Sequence, residues 1–142
     1  MVVWVYQMRC VFCSIVKGEE KAYNVYEDNE VIAFLDINPV SKGHTLVVSK
    51  KHYENIFDVP ESILCRMVSV AKKISIALRE ALGADGVNLM MTNNPAAGQV
   101  IMHIHIHVIP RYYGDEIHFH HHKRRITHEQ MASICEEIRR HL

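Results

Sequence analysis

Three histidines alternate with isoleucines in the segment 103–107, within a predicted strand over residues 100–109. Side chains two apart in a β-strand point to the same face and lie about 6.6–6.8 Å apart. The imidazoles are therefore expected to share one face, and Ile104, Ile106 and Val108 to share the face that packs on the core. The chain must fold so that the histidine face looks into a cleft, a metal site or solvent.

The spacing argues against one metal ion held by all three imidazoles, because the outer pair would lie about 13 Å apart. The three histidines are therefore expected to have different roles, with at least one ring free for chemistry. The alternative is a solvent-exposed stripe of histidines. A neutral imidazole is a nucleophile at physiological pH. A backbone carbonyl on the same strand could accept a hydrogen bond from one ring nitrogen of His105. The other nitrogen would then be free to attack the phosphorus of a nucleotide and form a covalent nucleotidyl intermediate. The flanking imidazoles would then donate hydrogen bonds to phosphate oxygens.

The remaining pattern predicts an α+β domain: a five-stranded antiparallel sheet with a long central helix and a C-terminal helix, both packed on one side. Alternation and turn signals predict the strands, and helical periodicity predicts the helices. The predicted strands are 22–27, 31–36, 44–49, 87–92 and 100–109, and the predicted helices are 60–82 and 127–141. No internal repeat or linker divides the chain, so residues 1–142 are expected to form one domain.

Composition excludes several classes of protein. The formal net charge is zero, which gives no reason to expect a nucleic-acid partner. No apolar run reaches the roughly 20 residues of a membrane span, and the start of the chain, 1–6, lacks the basic region of a signal peptide. A cytoplasmic protein without a disulfide framework is expected. Cys10 and Cys13 form a C-x-x-C pair, whereas Cys65 and Cys135 are expected to be core thiols.

Two loop segments carry weaker signals. Gly98 and Gln99 follow a turn-rich stretch just ahead of the histidines, where free backbone N–H groups could cradle a phosphate; a plain turn is the alternative. The histidines at 118 and 120–122 precede a basic run at 123–125. A solvated loop is the simpler interpretation of this segment, and phosphate contacts across a dimer or weak metal binding are the alternatives. Arg111 is expected to reach a distal phosphate more readily than the tail.

Several segments resemble the histidine triad (HIT) family. They are HIHIHVI at 103–109, CVFCSIVKGE at 10–19, YEDNEVIAFLDINP at 26–39, GHTLVV at 43–48, KKH at 50–52 and AGQ at 97–99. The resemblance spans roughly residues 10–114, and the histidine-rich tail from about 112 to 142 is divergent. It implies a nucleotide-binding hydrolase or transferase that works through a nucleotidyl-histidine. It also implies a homodimer whose sheets join edge to edge.

The resemblance also implies roles for individual residues. The expected catalytic residues are the nucleophile His105, the phosphate contact His107 and a fourth histidine near the phosphate, His44. The expected nucleotide-binding residues are Phe12, Ile32, Phe34, Asp36, Asn93, Gly98 and Gln99. Asp36 would accept hydrogen bonds from the ribose hydroxyls, with a turn-capping carboxylate as the alternative. The apolar residues around the base could equally be core residues.

In metal-bearing members the C-x-x-C pair is joined by two histidines. The corresponding set here is Cys10, Cys13, His52 and His103, which offers the two thiolates and two imidazoles that suit a structural zinc ion. Reduced, metal-free thiols are the alternative. This assignment would let His103 hold metal while His105 remains free.

Two departures from the family pattern bear on the substrate. Thr92 stands where an amide side chain is frequent, with Asn93 one place along, and Val100 replaces a hydroxyl that is frequent in members that cleave phosphoramidates. The expected reaction is release of a nucleoside monophosphate from a dinucleoside polyphosphate or a nucleoside phosphoramidate. A nucleotide- or metal-binding adaptor without turnover, and a metal-handling protein that uses the tail histidines, are the competing hypotheses.

Overall fold

The fold is described by a computed structural model in which residues 9–119 and 121–142 are placed. The expectation about the start of the chain, 1–6, and His120 of the histidine-rich segment lie outside the described residues. The elements are α1 (Val11–Val16), β1 (Asn24–Glu27), β2 (Val31–Leu35), β3 (Thr45–Ser49), α2 (Glu61–Leu82), β4 (Gly86–Met90), a 3-10 turn (Pro95–Ala97), β5 (His105–Arg111) and α3 (His128–Arg139). Helix α1 was not among the helices predicted from the sequence.

The five strands form one sheet in the order β1-β2-β3-β5-β4, and every neighbouring pair is antiparallel. This confirms the predicted α+β class and the antiparallel sheet. The histidine-bearing strand β5 lies between β3 and β4, with Ile106 opposite Val47 on one side and Val108 opposite Leu89 on the other. Its side chains are therefore fixed by pairing on both edges.

Strand β5 differs from its prediction at both ends. It starts at His105 rather than at residue 100, because the N–H of Ile104 donates to the carbonyl of Tyr53 at 2.8 Å, in the loop that follows β3. It also continues through Pro110, which was expected to end it. Pairing with β3 stops at Val108, so Pro110 is paired only with β4 and its missing N–H costs no ladder bond on the β3 side.

The main core lies between one face of the sheet and α2. Buried side chains of the helix, Met67, Val70, Ala71, Ile74 and Leu78, pack on Val31, Ala33, Val47, Ile104, Ile106 and Val108. Helix α2 ends where Gly83 adopts the left-handed conformation, at φ 69°. The apolar residues that alternate with the histidines thus face the core, as predicted.

A second cluster lies on the opposite face of the sheet. Phe12 of α1 packs with Ile32 and Phe34 of β2 and with Leu46 and Val48 of β3. The expectation that all helices pack on one side of the sheet was wrong. Strands β2 and β3 are continuous apolar runs rather than alternating ones, and such strands are covered on both faces.

The C-terminal helix α3 occurs where it was predicted but buries nothing, since each of its residues is exposed. A capping box between Thr127 and Gln130 fixes its start. Its apolar side chains Met131, Ile134 and Ile138 are 45–56% exposed. Cys135 on this helix and Cys65 on α2 are also exposed, so the expectation of core thiols was wrong for both.

Among the described residues, no helix combines the length and the apolar character needed to cross a bilayer.

Candidate functional site

A cavity of about 520 Å³ opens on the sheet face opposite α2, beside α1. The residues that line it are Val11, Phe12, Ile15, Glu20, Lys21, Ala22, Phe34, Leu35, Asp36, Ile37, Asn38, Leu46, Met90, Thr92, Gly98, Val100, Ile101, His105 and His107. A depression of about 580 Å³ also lies along the tail, but its lining residues between Arg124 and Ile134 are all exposed. The mixed apolar and histidine lining makes the first cavity the candidate site.

Strand β5 directs His105 into this cavity, with 7% of the residue exposed. Its Nδ1 lies 2.6 Å from the carbonyl oxygen of His103. A carbonyl only accepts, so Nδ1 carries the proton and Nε2 keeps the lone pair. Burial lowers the pKa of His105, against the opposing pull of that carbonyl and of Asp36. The ring is therefore neutral, with its nucleophilic nitrogen identified.

The ring of Phe12 holds His105 from the side. The two rings meet edge to face with centroids 5.2 Å apart, and Phe12 meets Phe34 in the same way at 5.4 Å. Phe12 is 4% exposed, because α1 presses it onto the sheet. This contact limits rotation of the His105 ring and forms part of the cavity wall.

His107, the next residue on the same face of β5, pairs with His44 at the start of β3. His44 Nε2 and His107 Nδ1 are 2.9 Å apart. Burial lowers the pKa of His107 to about 4 and also lowers the pKa of His44. Both rings are therefore neutral near pH 7, and they act as hydrogen-bonding groups rather than as fixed charges.

Asp36 follows β2 and lines the same cavity. One carboxylate oxygen accepts the N–H of Asn38 at 2.8 Å, and the other lies 3.6 Å from His44 Nε2. The Asp36 side chain therefore caps the turn with one oxygen and directs the other oxygen toward the histidines. The carboxylate has acceptor capacity left for a ligand hydroxyl on the cavity side.

A second cluster contains the four predicted metal ligands, Cys10, Cys13, His52 and His103, whose ligand atoms all lie within 4.8 Å of one another. His103 Nδ1 is 3.4 Å from Cys10 Sγ, 3.6 Å from Cys13 Sγ and 3.1 Å from His52 Nδ1. Ligands arranged tetrahedrally around zinc are separated by about 3.3–3.8 Å, given the usual Zn–N and Zn–S bond lengths. The four side chains thus fit a zinc ion in both chemistry and spacing.

The C-x-x-C pair does open a helix, since the Cys10 side chain accepts the N–H of Cys13 at the start of α1. Burial raises the pKa of the Cys13 thiol, and the adjacent Cys10 raises it further. A reactive redox thiol has a lowered pKa, so the raised pKa of Cys13 does not favour such a role for this thiol.

The loop ahead of β5 is held together by Gln99 and Asn93, which were both expected to bind nucleotide. Gln99 is buried; its side-chain oxygen accepts the N–H of Asn94, and its side-chain nitrogen donates to the carbonyl of Glu54. Asn93 accepts the N–H of Ile56. Neither residue lines the cavity, whereas Thr92 does.

Gly98 lines the cavity, but the loop does not offer the free N–H groups that were expected there. The N–H of Gly98 donates to the carbonyl of Pro95, and the N–H of Gln99 donates to the carbonyl of Asn94. The glycine is needed for its backbone, at φ 92°, rather than as a phosphate donor.

The apolar part of the cavity agrees only partly with expectation. Phe12 and Phe34 line it, whereas Ile32 is 1% exposed within the core cluster below. The lining residues that sequence reasoning missed include Val11, Ile15, Leu46, Met90 and Ile101. The strand register would have predicted two of them, because Leu46 lies opposite both Phe34 and His107, and Met90 lies opposite His107.

Arg111 does not reach the cavity. Its guanidinium pairs with both oxygens of Asp115 at 2.7 and 3.0 Å, and it also donates to Asn88 and to the carbonyl of Ile117. These partners use its donors in the loop after β5, which counts against the expectation that Arg111 reaches a distal phosphate more readily than the tail does.

Residues 17–114 match the HIT domain. An uncharacterised HIT-like protein of Methanocaldococcus jannaschii is 51% identical over 106 residues, which cover 75% of this chain and 81% of the relative. An adenylylsulfatase of Arabidopsis thaliana is 46% identical over 105 residues, 74% of this chain and 53% of that protein.

Solved structures agree with the fold. A Streptococcus mutans protein superposes with a TM-score of 0.89 at 34% identity, covering 98% of this chain and 88% of that one. A zinc-bound histidine triad protein of Mycobacterium smegmatis superposes with a TM-score of 0.76 at 37% identity, covering 95% and 99%. These matches place the chain among nucleotide-binding hydrolases and transferases. It belongs to the histidine triad (HIT) domain family.

Proposed function

We propose that the protein releases a nucleoside monophosphate from its leaving group through a covalent intermediate on His105. The observation that carries the proposal is the 2.6 Å hydrogen bond from His105 Nδ1 to the carbonyl oxygen of His103. It fixes the tautomer, so that Nε2 is a lone-pair nucleophile on a residue that lines the cavity. The base would lie among the apolar residues, and the phosphate against the histidines.

In the first step Nε2 of His105 attacks phosphorus. The N–P bond forms, the bond from phosphorus to the leaving group breaks, and the leaving group takes the electron pair. The proton on Nδ1 stays in place, so the imidazole becomes cationic. The carbonyl of His103 and the carboxylate of Asp36, which both oppose the lowered pKa of His105, stabilise that positive charge.

In the second step water attacks the same phosphorus atom and releases one proton to solvent; phosphate is the alternative acceptor. The P–N bond breaks, its electron pair returns to Nε2, and His105 is neutral again. Donors near the phosphate, His107 among them, stabilise charge on the phosphoryl oxygens during both transfers. The cationic ring is the better leaving group, which is why retention of the Nδ1 proton assists this step.

Two substrate classes follow from the family resemblance, dinucleoside polyphosphates and nucleoside phosphoramidates. Val100 lines the cavity and is 89% exposed, and it offers no hydroxyl to a leaving amine. This favours polyphosphates over phosphoramidates. The Arabidopsis relative is named an adenylylsulfatase, which adds adenylyl sulfate as a third compound to test.

The test compares His105→Ala with His121→Ala, a substitution of an exposed histidine in the tail, on all three adenylated compounds and their guanylated counterparts. We expect release of monophosphate by the wild type and by His121→Ala. We expect no turnover by His105→Ala, with nucleotide affinity retained. Label from an activated nucleotide should remain on denatured wild type and be absent from His105→Ala. Undiminished turnover without His105 would end the proposal, and tight binding without trapped label would favour an adaptor.

Structural zinc is part of the proposal. It is supported by the ligand spacing in the Cys10, Cys13, His52 and His103 cluster and by the zinc-bound Mycobacterium smegmatis neighbour. When bound, the ion would cross-link the start of α1 to the loops before α2 and β5. A reducing cytoplasmic compartment is proposed with it, because both cysteines must be thiolates rather than a disulfide.

A homodimer is proposed through β4, whose outer edge has no strand beside it in the described sheet. Leu89 on this edge is 51% exposed, and Ile76 of the neighbouring α2 is 41% exposed. Edge-to-edge pairing would satisfy the open backbone groups and cover these side chains. Leu89→Arg should give a monomer by light scattering. Val25→Arg, on the equally exposed edge strand β1, should leave the dimer intact.

A further inference from the structure

Three groups form a hydrogen-bonded series at the cavity wall. The backbone N–H of Val40 donates to His44 Nδ1 at 3.2 Å, and His44 Nε2 lies 2.9 Å from His107 Nδ1. We propose that His44 is a positioning residue. It accepts a hydrogen bond from the Val40 N–H and thereby holds His107 in the tautomer that carries its proton on Nε2. The inference rests on the proposed function only for its catalytic consequence.

The direction of the series follows from its first member. A backbone N–H can only donate, so Nδ1 of His44 must present a lone pair. Neutral His44 then carries its proton on Nε2 and donates it to Nδ1 of His107. His107 Nδ1 is therefore an acceptor, and its own proton is on Nε2. One amide group thereby determines the protonation of two rings.

The same series disfavours a charged His107. Protonation would put an N–H on Nδ1, directed at the N–H on His44 Nε2 across 2.9 Å. Burial of both rings acts in the same direction, since their pKa values are lowered. His107 is thus held as a neutral hydrogen-bond donor to the phosphoryl oxygens, and it is not an acid with a charge to lose.

The loop between β2 and β3 is arranged to hold the Val40 N–H in place. The N–H of Asp36 donates to the carbonyl of His44 at 2.9 Å, and the N–H of His44 donates to the carbonyl of Ser41 at 3.1 Å. Ser41 Oγ donates to the carbonyl of Pro110 at 2.7 Å, which fastens the loop to β5. The Val40 side chain is 50% exposed, so it is the backbone of this residue that contributes.

The series also explains why a metal ion is disfavoured here. Asp36, His44 and His107 bring three potential ligand atoms within 4.8 Å of one another, the arrangement of two histidines and one carboxylate that binds divalent metals. Ligation requires a lone pair on His44 Nε2, and that nitrogen carries the proton. Ligation would need His44 to lose its one ring proton and become an imidazolate, or to move that proton to Nδ1 and give up the hydrogen bond from the Val40 N–H.

The first measurement is the tautomeric state of the histidines in the full-length wild type, from ¹⁵N chemical shifts of the ring nitrogens at pH 7.5. We expect the proton on Nε2 in both His44 and His107. A proton on Nδ1 of His107, or ring shifts that move on addition of Mn²⁺ to zinc-loaded protein, would overturn the inference. This readout needs no substrate, so it stands apart from the test of His105.

The second measurement compares His44→Leu with His44→Gln. The glutamine oxygen can accept the Val40 N–H while its NH₂ donates to His107, whereas leucine fills the space without either bond. We expect kcat to fall at least about tenfold in His44→Leu with little change in KM, and to recover substantially in His44→Gln. His107 should be a tautomeric mixture in the first variant and the Nε2–H form in the second. Equal kcat in the two folded variants would refute the positioning role, even where His105 proves to be the nucleophile.

Discussion

His103 Nε2 lies 2.7 Å from the backbone carbonyl oxygen of Ser49, at the end of β3. The ring must donate this hydrogen bond, so its Nδ1 lone pair faces the two thiols and His52. Burial lowers the pKa of His103 to about 4, which keeps the ring neutral. The carbonyl of Ser49 thus leaves His103 Nδ1 with the lone pair of a metal ligand. The carbonyl of His103 in the same way leaves His105 Nε2 with the lone pair of a nucleophile.

This arrangement predicts one zinc ion per chain. Cys13→Ser replaces a thiolate ligand, and we expect it to lower the zinc content measured by elemental analysis to less than half and to lower the melting temperature. Cys65→Ser is the matched control, since that thiol is exposed and outside the cluster. Full zinc content in Cys13→Ser would mean that the metal is held elsewhere.

Gly43, which precedes the buried His44, is a position where any side chain is predicted to destabilise the fold. A Cβ there would lie 2.7 Å from Leu82 Cδ1 and 2.9 Å from Leu78 Cδ2, and φ is +98°. We expect Gly43→Ala to lower the free energy of unfolding by about 2–4 kcal/mol, from strain and steric overlap together. Urea denaturation measures the change.

Gly18→Ala is the control for backbone strain alone. Its φ is also positive, at +74°, but a Cβ there would meet nothing within 4 Å. We expect a loss of about 1 kcal/mol. Equal losses for the two variants would show that α2 moves aside to accommodate the methyl group.

The low pKa of His107, about 4, predicts that acid weakens the fold. Burial is the main cause, neighbouring His105 and His44 add to it, and Asp36 opposes it. In the unfolded chain His107 takes up a proton at about pH 6.5, above its pKa in the folded protein. Neutral His107 therefore makes its full contribution to the free energy of unfolding above pH 6.5, and this contribution is lost as the pH falls toward 4. His107→Asn should therefore lose less stability than the wild type between pH 7 and pH 5.

The measurement is urea denaturation at both pH values, on proteins with equal zinc content. His121→Asn replaces an exposed tail histidine and should follow the wild type. Parallel losses in His107→Asn and the wild type would mean that another group governs the acid response.

Helix α3 is predicted to add nothing to the stability of the protomer, because each of its residues is exposed. A chain that ends at residue 125 should have the same urea midpoint as the full chain when both are monomeric, for example with Leu89→Arg present. A lower midpoint would reveal that the apolar side chains Met131, Ile134 and Ile138 pack on a surface of the protomer.

Local patterns determined much of the fold. The alternation at 103–107 identified which side chains of β5 face the core, and the spacing of Met67, Ala71, Ile74 and Leu78 identified the buried side of α2. These predictions succeed because periodicity reports the face of an element directly. The same reasoning could not tell that α1 covers the other face of the sheet, since continuous apolar strands carry no alternation.

Roles within the loops were harder to predict. Gln99 and Asn93 have amide side chains of the kind that bind ligands. In the structure, however, both form hydrogen bonds with backbone groups of the segment 54–56. The exposure of Cys65 and Cys135 shows the converse error, in which thiols on helices were expected to be buried. Which partner a polar or thiol side chain meets depends on segments distant in sequence.

The sequence by itself determined the sheet class, the central helix, the direction of the histidines at 105 and 107 and the identity of the four metal-ligand candidates. Only the tertiary structure decided which nitrogen of each ring carries the proton. That choice depends on the carbonyls of Ser49 and His103 and the N–H of Val40, backbone groups whose positions are set by strand pairing and loop geometry. An imidazole can be recognised in the sequence, but its tautomer is imposed by the hydrogen-bond partner that the fold brings to it.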